Sequence, residues 1–196
     1  MRRDVIEIPN LSSSFLSVEK DIERILTKLF FDHQPQNRQL LRLLVIQNKD
    51  CLSDQTNPEY IEKIRNTSLA SLIEEGYIKL APKIAMPEHE KLKSYIIISF
   101  DNFTPNAKNP QFRDCTIHFD IICHTDSWVM NDFQIRPIKI AGYIDGILNN
   151  TKLTGIGELN FMGLNEIVLD EVLSGYTLSY RAIHGSDDRI PDEEND

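Results

Sequence analysis

Apolar positions recur with helical spacing in the first third of the chain and with strand spacing through most of the rest. Val18, Ile22, Ile25, Leu26, Leu29 and Phe30 share one face of a helix, with Ser17 placed to cap it and Glu19 and Asp21 in its positive first turn. The tetrapeptide Gln34-Pro35-Gln36-Asn37 reads as a breaker, and a second helix is predicted from Arg38 to Asn48. Its run from Leu40 to Ile46 is apolar on most sides, so the helix is buried or covered by a neighbouring subunit. Asn57-Pro58 is a start signal for a third helix reaching Asn66, and Thr67 caps a short fourth, Ser68 to Glu75, that stops at Gly76. Ahead of these helices, residues 1–16 read as an extended arm ending in Ser12-Ser13-Ser14.

From Ala81 to Lys93 two prolines and mixed charge indicate a linker or hinge loop. The period then changes. Ser94 to Phe103 is extended and strongly apolar, Asp114 to Thr125 alternates, Arg136 to Asn149 returns to helical spacing, and two further extended runs precede His184. Pro105, Asn106, Asn109 and Pro110 make 104–111 a turn region, Gly155 and Gly157 mark a turn after the helix, and Ser174-Gly175 marks another. The predicted fold is α+β: a helical N-terminal region over 1–80, then a core over 81–185. In that core a mixed or mostly antiparallel sheet of about four or five strands is packed by the helix at 136–149. The acid-rich stretch 186–196 is expected to be disordered.

Composition narrows the function more than the fold. With 196 residues, 41% hydrophobic and 26% charged, the chain can bury a full core. Its 21 basic against 30 acidic residues, net −9, argue against a surface that grips nucleic acid, yet suit a wall that DNA passes without sticking. Cys51, Cys115 and Cys123 form no C-x-x-C pair, which implies reduced thiols and folding inside a cell. Met1-Arg2-Arg3-Asp4 has no apolar segment behind it, and no apolar stretch approaches a span, so neither a signal peptide nor a membrane contact is expected.

The sharpest candidate for chemistry is the strand face carrying His118, Asp120 and His124, a set that matches two-histidine, one-carboxylate metal sites. Strand geometry opposes it: positions two apart lie roughly 6.6 Å apart, and the two histidines roughly 20 Å apart, too far to share an ion. A half-exposed face is the better reading, with the cysteines as small buried apolar groups. Asp170 and Glu171 are adjacent and would point to opposite faces of a strand, Gly155-Ile156-Gly157 follows a helix instead of opening one, and no G-x-S-x-G elbow is present. No catalytic, cofactor-binding or metal-binding residue is therefore assigned.

Two features point instead to contacts. Gly142 and Gly146 lie four apart on the helix at 136–149, opposite the arc of Ile140, Ala141, Ile144, Ile147 and Leu148. Interior helix glycine costs up to ~1 kcal/mol each, so close approach of another element, within the subunit or from outside, is expected there. The stretch from Asp126 to Gln134 carries Trp128, Val129, Met130 and Phe133, which either form a contact surface or close one end of the core.

The order of Phe112 to His124, Arg136 to Asn150, Gly157 to Gly163 and Ser174 to His184 resembles the tail-terminator, or tail-completion, proteins of tailed bacteriophages. The resemblance implies a structural virion protein with no catalytic residue. Its subunits, usually six, would close a ring at the neck that ends the tail tube, docks to the head connector and stopper proteins, and lets DNA through without specific binding. It also implies a place in the virion after synthesis in the host cytoplasm. The chain departs from that family in its long helical N-terminus, since typical members begin with one helix. Another neck, collar or baseplate component, or a non-enzymatic cellular adaptor, stays open as an alternative.

Overall fold

Four helices precede the main strands: α1 (Val18–Phe30), α2 (Pro35–Val45), α3 (Pro58–Asn66) and α4 (Leu69–Glu74). The computed structural model describes residues 15, 18–81, 92–108, 112–153 and 155–184. Ser17, the arm before Phe15, most of the linker after Ala81, part of the 104–111 turn and the acid-rich end lie outside the described residues.

Local chemistry sets the helix bounds. α2 begins earlier than its apolar period suggests, because the tetrapeptide read as a breaker opens the helix. Pro35 sits in the first turn, where its missing N–H is no loss, and the backbone N–H of Gln34 donates to Asn37 Oδ1 at 2.9 Å. The same Asn37 donates its amide to the carbonyls of Lys28 and Leu29, each at 2.7 Å, and so ties α2 to the frayed end of α1. α3 starts as expected, with Asn57 accepting from the N–H groups of Glu59 at 3.0 Å and Tyr60 at 3.4 Å. α4 is capped by Ser68 in reciprocal exchange with Ser71, one residue beyond the predicted Thr67, whose hydroxyl donates to Lys63 instead. Gly76, with φ +73°, ends that turn.

The sheet has five strands in the order β1 (Ile78–Lys79), β2 (Ser94–Pro105), β3 (Arg113–His124), β7 (Leu173–His184), β6 (Asn160–Val168). Only β1 and β2 are parallel; the other pairs are antiparallel. Two short strands, β4 (Lys152–Leu153) and β5 (Gly157–Glu158), form a separate hairpin whose turn uses Gly155 and Gly157 at φ +84° and +74°. The helix α5 (Arg136–Leu148) lies on β3 and β7 and packs against α1 and α2. The fold is α+β, helices first and then a mostly antiparallel sheet packed by a helix.

One predicted turn is wrong. Ser174 and Gly175 lie within β7, opposite Cys123 and Ile122, and the chain reverses at 169–172. Gly175 serves close approach instead: a Cβ there would sit 1.7 Å from the carbonyl oxygen of Ile121. Of the two readings open for the Leu40–Ile46 run, burial within the chain holds and cover by a neighbouring subunit does not. The run from Leu40 to Ile46 is buried within the chain, because α2 is enclosed by α1, α3 and α5, and so it offers nothing to a neighbouring subunit. That run joins Ile25 and Leu29 of α1, Ile140 and Ile144 of α5, and Ile117, Phe119 and Ile121 of β3 in one core.

Candidate assembly surface

The first residue of α5 is the best-connected polar group in the chain. Arg136 is 0% exposed, and its guanidinium donates to five carbonyls. Nε reaches Ser127 at 2.8 Å, Nη1 reaches Leu43 and Ile46 at 2.8 Å each, and Nη2 reaches Gln47 and Asn48 at 2.9 Å each. Four of these acceptors are at or just past the end of α2, where carbonyls lack helical partners and the dipole is negative. A cation thus stands in the core with no carboxylate among those acceptors. Arg42, also buried, donates to Cys51 and Asp54 and lies over the ring of Tyr60, which fixes the far side of the same loop. Sequence reasoning missed Arg136; the only signal was an arginine standing before Pro137 at the head of an apolar helix.

The residues weighed for chemistry are dispersed onto separate partners. His118 lies with Nδ1 2.8 Å from Ser179 Oγ and Nε2 3.2 Å from Asp101 Oδ2. Asp120 accepts from Thr177 Oγ1 at 2.6 Å, and His124 accepts at Nδ1 from the N–H of Asp126 at 3.2 Å. The face is not half-exposed along its length: Ile122 packs with Tyr95, Ile97 and Leu173, and His124 is buried. Asp170 and Glu171 are in the turn and not on a strand, and Asp170 Oδ1 accepts from the N–H groups of Val172 and Leu173. Among the described residues no group of three histidine, cysteine or acidic side chains is placed to hold a metal. The three thiols are buried, and burial raises them all, Cys115 to about 12 and Cys123 to about 11. α1 and the end of β7 share a further buried pair, Asp21 with His184, and Arg24 donates to the other Asp21 oxygen at 3.2 Å.

What the structure leaves open lies along β6. This nine-residue edge strand has one charge, Glu166, and no proline, and it exposes Phe161, Met162, Leu164 and Val168. Its register places Phe161 and Leu164 opposite Tyr180 and Leu178, on the face that α5 covers over β7. Tyr180 is fully buried and donates its hydroxyl to Asp145 of α5 at 2.8 Å, while Phe161 beside it is open. The helical layer therefore stops one strand short. Gly142 and Gly146 of α5 are also exposed, and a Cβ on either would have no heavy atom within 4 Å. Close packing within the subunit is thus not what these glycines serve.

The stretch after β3 divides. Met130 is buried against Cys51, and Trp128 stacks on Tyr176 with ring centroids 6.2 Å apart and donates to the carbonyl of Cys123. Val129 and Phe133 face solvent, Phe133 at 96% exposure and with Asp132 and Phe133 both at φ +58°. Each left-handed residue costs roughly 1 kcal/mol, so the fold holds this ring outward against its own backbone preference.

The opposite edge of the sheet is defended. β1 pairs with β2 at Ile96 and Ile97, and beyond them β2 carries Asp101, a bulge around Asn102 at φ +53°, and Pro105. A separate set of exposed apolar side chains flanks that edge: Ile73 on α4, Leu80 after β1 and Leu92 before β2.

A family model matches residues 37–182, taking in α2 through α5 and nearly the whole sheet, and the chain belongs to the YomW family. This family is phage-derived, of the SPBeta-prophage type, so the chain is a phage-related protein. No curated protein matches it. Among the described residues no helix is long and apolar enough to cross a membrane.

Proposed function

We propose that this chain is a structural subunit of a tailed phage particle, and that copies of it close a ring at the neck. The ring would terminate the tail tube and join it to the head connector around the DNA channel. One observation carries the reading: the two edges of the sheet are unlike, and each has its own apolar side chains. β6 is open in both its edge and its face, whereas the β2 edge is blunted and flanked by Ile73, Leu80 and Leu92. Two unlike surfaces on opposite edges make head-to-tail contacts, which generate a ring when the rotation closes. A self-complementary contact would need only one such surface. The net charge of −9 supports a channel that DNA traverses without adhering. Membership of a phage-derived family supports the setting.

Native mass spectrometry of the full chain over a concentration series, alone and with purified tail tubes, tests the proposal. A discrete closed oligomer, six being the expected number, that disappears on Leu164→Lys supports it. A strict monomer under both conditions overturns it and returns the adaptor reading.

A further inference from the structure

Among the described residues, Arg38 and Arg65 stand apart from every other arginine. Arg24 pairs with Asp21, Arg181 with Asp114, Arg42 and Arg136 hold buried carbonyls, and Arg113 is also engaged. The side chains of Arg38 and Arg65 make no hydrogen bond or ion pair with any described residue. Yet both line one cleft of about 640 Å³ between the α1–α2 turn and the last turn of α3, and no acidic residue lines it. In a chain with 30 acids against 21 bases, two arginines without an acidic partner lining one cleft are not expected from composition.

The rest of the cleft says what kind of molecule fits. Its walls are mixed: Phe31, Leu41 and Ile64 stand among Gln34, Gln55 and Thr67, and the first turn of α2 at its rim contains no acidic residue. Gln39 also lines it, and Gln39 Oε1 is the one buried side-chain nitrogen or oxygen among the described residues with no hydrogen-bond partner. A turn of that amide toward the cleft would let it accept from an incoming N–H. The occupant must therefore bring negative charge for two planar forks, an apolar side chain for the walls and a hydrogen-bond donor for the glutamine. A nucleic-acid backbone brings the charge without an aliphatic side chain for the walls. A peptide segment has all three: carboxylates that guanidinium binds in bidentate fashion, side chains, and backbone N–H groups.

We infer that the cleft between α2 and α3 is a docking site for an acidic peptide segment of a partner protein, with Arg38 and Arg65 as its carboxylate-binding residues. This site is separate from the β6 surface, so a chain unable to form rings would still bind the peptide.

The test is fluorescence anisotropy with the full chain. The probe is a labelled hexapeptide of aspartate and glutamate around one leucine, and its control is the asparagine and glutamine isostere. Saturable binding of the acidic peptide is expected, with the isostere at least tenfold weaker. Arg38→Gln and Arg65→Gln should each weaken binding roughly tenfold, as befits loss of a charge-assisted contact, with circular dichroism unchanged because both side chains are exposed. Lys139→Gln, on the exposed side of α5, should leave binding unaltered. Equal binding of peptide and isostere overturns the inference, as does binding that survives the double substitution. Displacement of the peptide by a single-stranded oligonucleotide at equal concentration also overturns it, in favour of a general anion site.

Discussion

Around Arg136 every polar donor finds an acceptor inside the chain, whereas along β6 one row of backbone groups and the side chains of Phe161, Met162, Leu164 and Val168 face solvent. The two regions lie on the same layer of helix and sheet, so the difference is not one of core against periphery alone. At the joint, one guanidinium ties the end of α2 to the start of α5 and to the loop after β3 through five hydrogen bonds. At the edge, the chain leaves apolar area uncovered that a helix like α5 would cover. Unprotected edges of this length are an aggregation hazard that monomeric proteins blunt, and this chain blunts its other edge with a bulge, a charge and a proline. The contrast between the edges, more than either alone, is what the proposed ring rests on.

The strongest way to break the comparison is at the joint. Arg136→Met keeps the apolar stem and removes the five donated hydrogen bonds, leaving buried carbonyls on Ser127, Leu43, Ile46, Gln47 and Asn48. A buried acceptor left without a donor costs about 1–3 kcal/mol, so losing several at once should cost at least about 3 kcal/mol. Urea denaturation should show a loss of that size, with Arg136→Lys recovering only part because an ammonium has three donors for five acceptors. A loss below about 1 kcal/mol would mean the joint is not what holds the helices to the sheet.

At the edge the same logic predicts the opposite outcome. Leu164→Lys places a charge on the open face of β6 and should change the stability of the isolated chain by less than about 1 kcal/mol, as surface substitutions do. Assembly should weaken by roughly tenfold or more, because the charge must be buried or the contact abandoned. Analytical ultracentrifugation of the variant beside the unaltered chain separates the two effects. Equal assembly of both would remove β6 from the interface.

How far the sequence foretold this contrast follows from what pattern can encode. The period of Val18 to Phe30, of Arg136 to Leu148 and of the three long strands was legible because a residue's face is fixed by its own spacing. The start of α2 was not, since Gln34 to Asn37 acts as opener or breaker according to whether Asn37 finds the end of α1. Gly175 was misread for a related reason: glycine serves turns and close approach alike, and only the neighbouring strand tells which. No catalytic or binding set was assigned from sequence, and the β6 surface was not foreseen, because an edge strand is defined by the neighbour it lacks. Arg136 and the Arg38–Arg65 cleft were invisible too, since their partners, or lack of them, come from distant parts of the chain.

Alkaline pH attacks the interior and spares the edge. Cys115 and Cys123 are raised by burial to about 12 and about 11 from an ordinary value of 9.0, so the native state holds both protons while the unfolded chain loses them. Their contribution is fully present below pH 9 and is lost as pH rises toward the folded values. Each thiol should cost about 1 kcal/mol by pH 10 relative to pH 8. Denaturation midpoints measured from pH 8 to pH 10 should fall, and the fall should shrink in Cys115→Ala when that variant is compared with itself across the same range. A flat profile would show that the thiols ionise in the native chain, and hence that the core around β3 is open to water.

The smallest effect is the most pointed. Gly142→Ala and Gly146→Ala add methyl groups that meet nothing within 4 Å, at positions with ordinary helical backbone on the exposed side of α5. Each should stabilise the isolated chain by about 0.5–1 kcal/mol, since alanine is the better helix former. If these glycines serve a partner that comes close beside α5 over β6, the same methyl groups should weaken assembly while raising the thermal midpoint of the monomer. A residue that is worse for the free chain and better for the assembled one separates interface design from neutral drift. Gain in both would place the contact elsewhere on β6, and loss in both would mean that α5 is strained by packing with the rest of its own subunit.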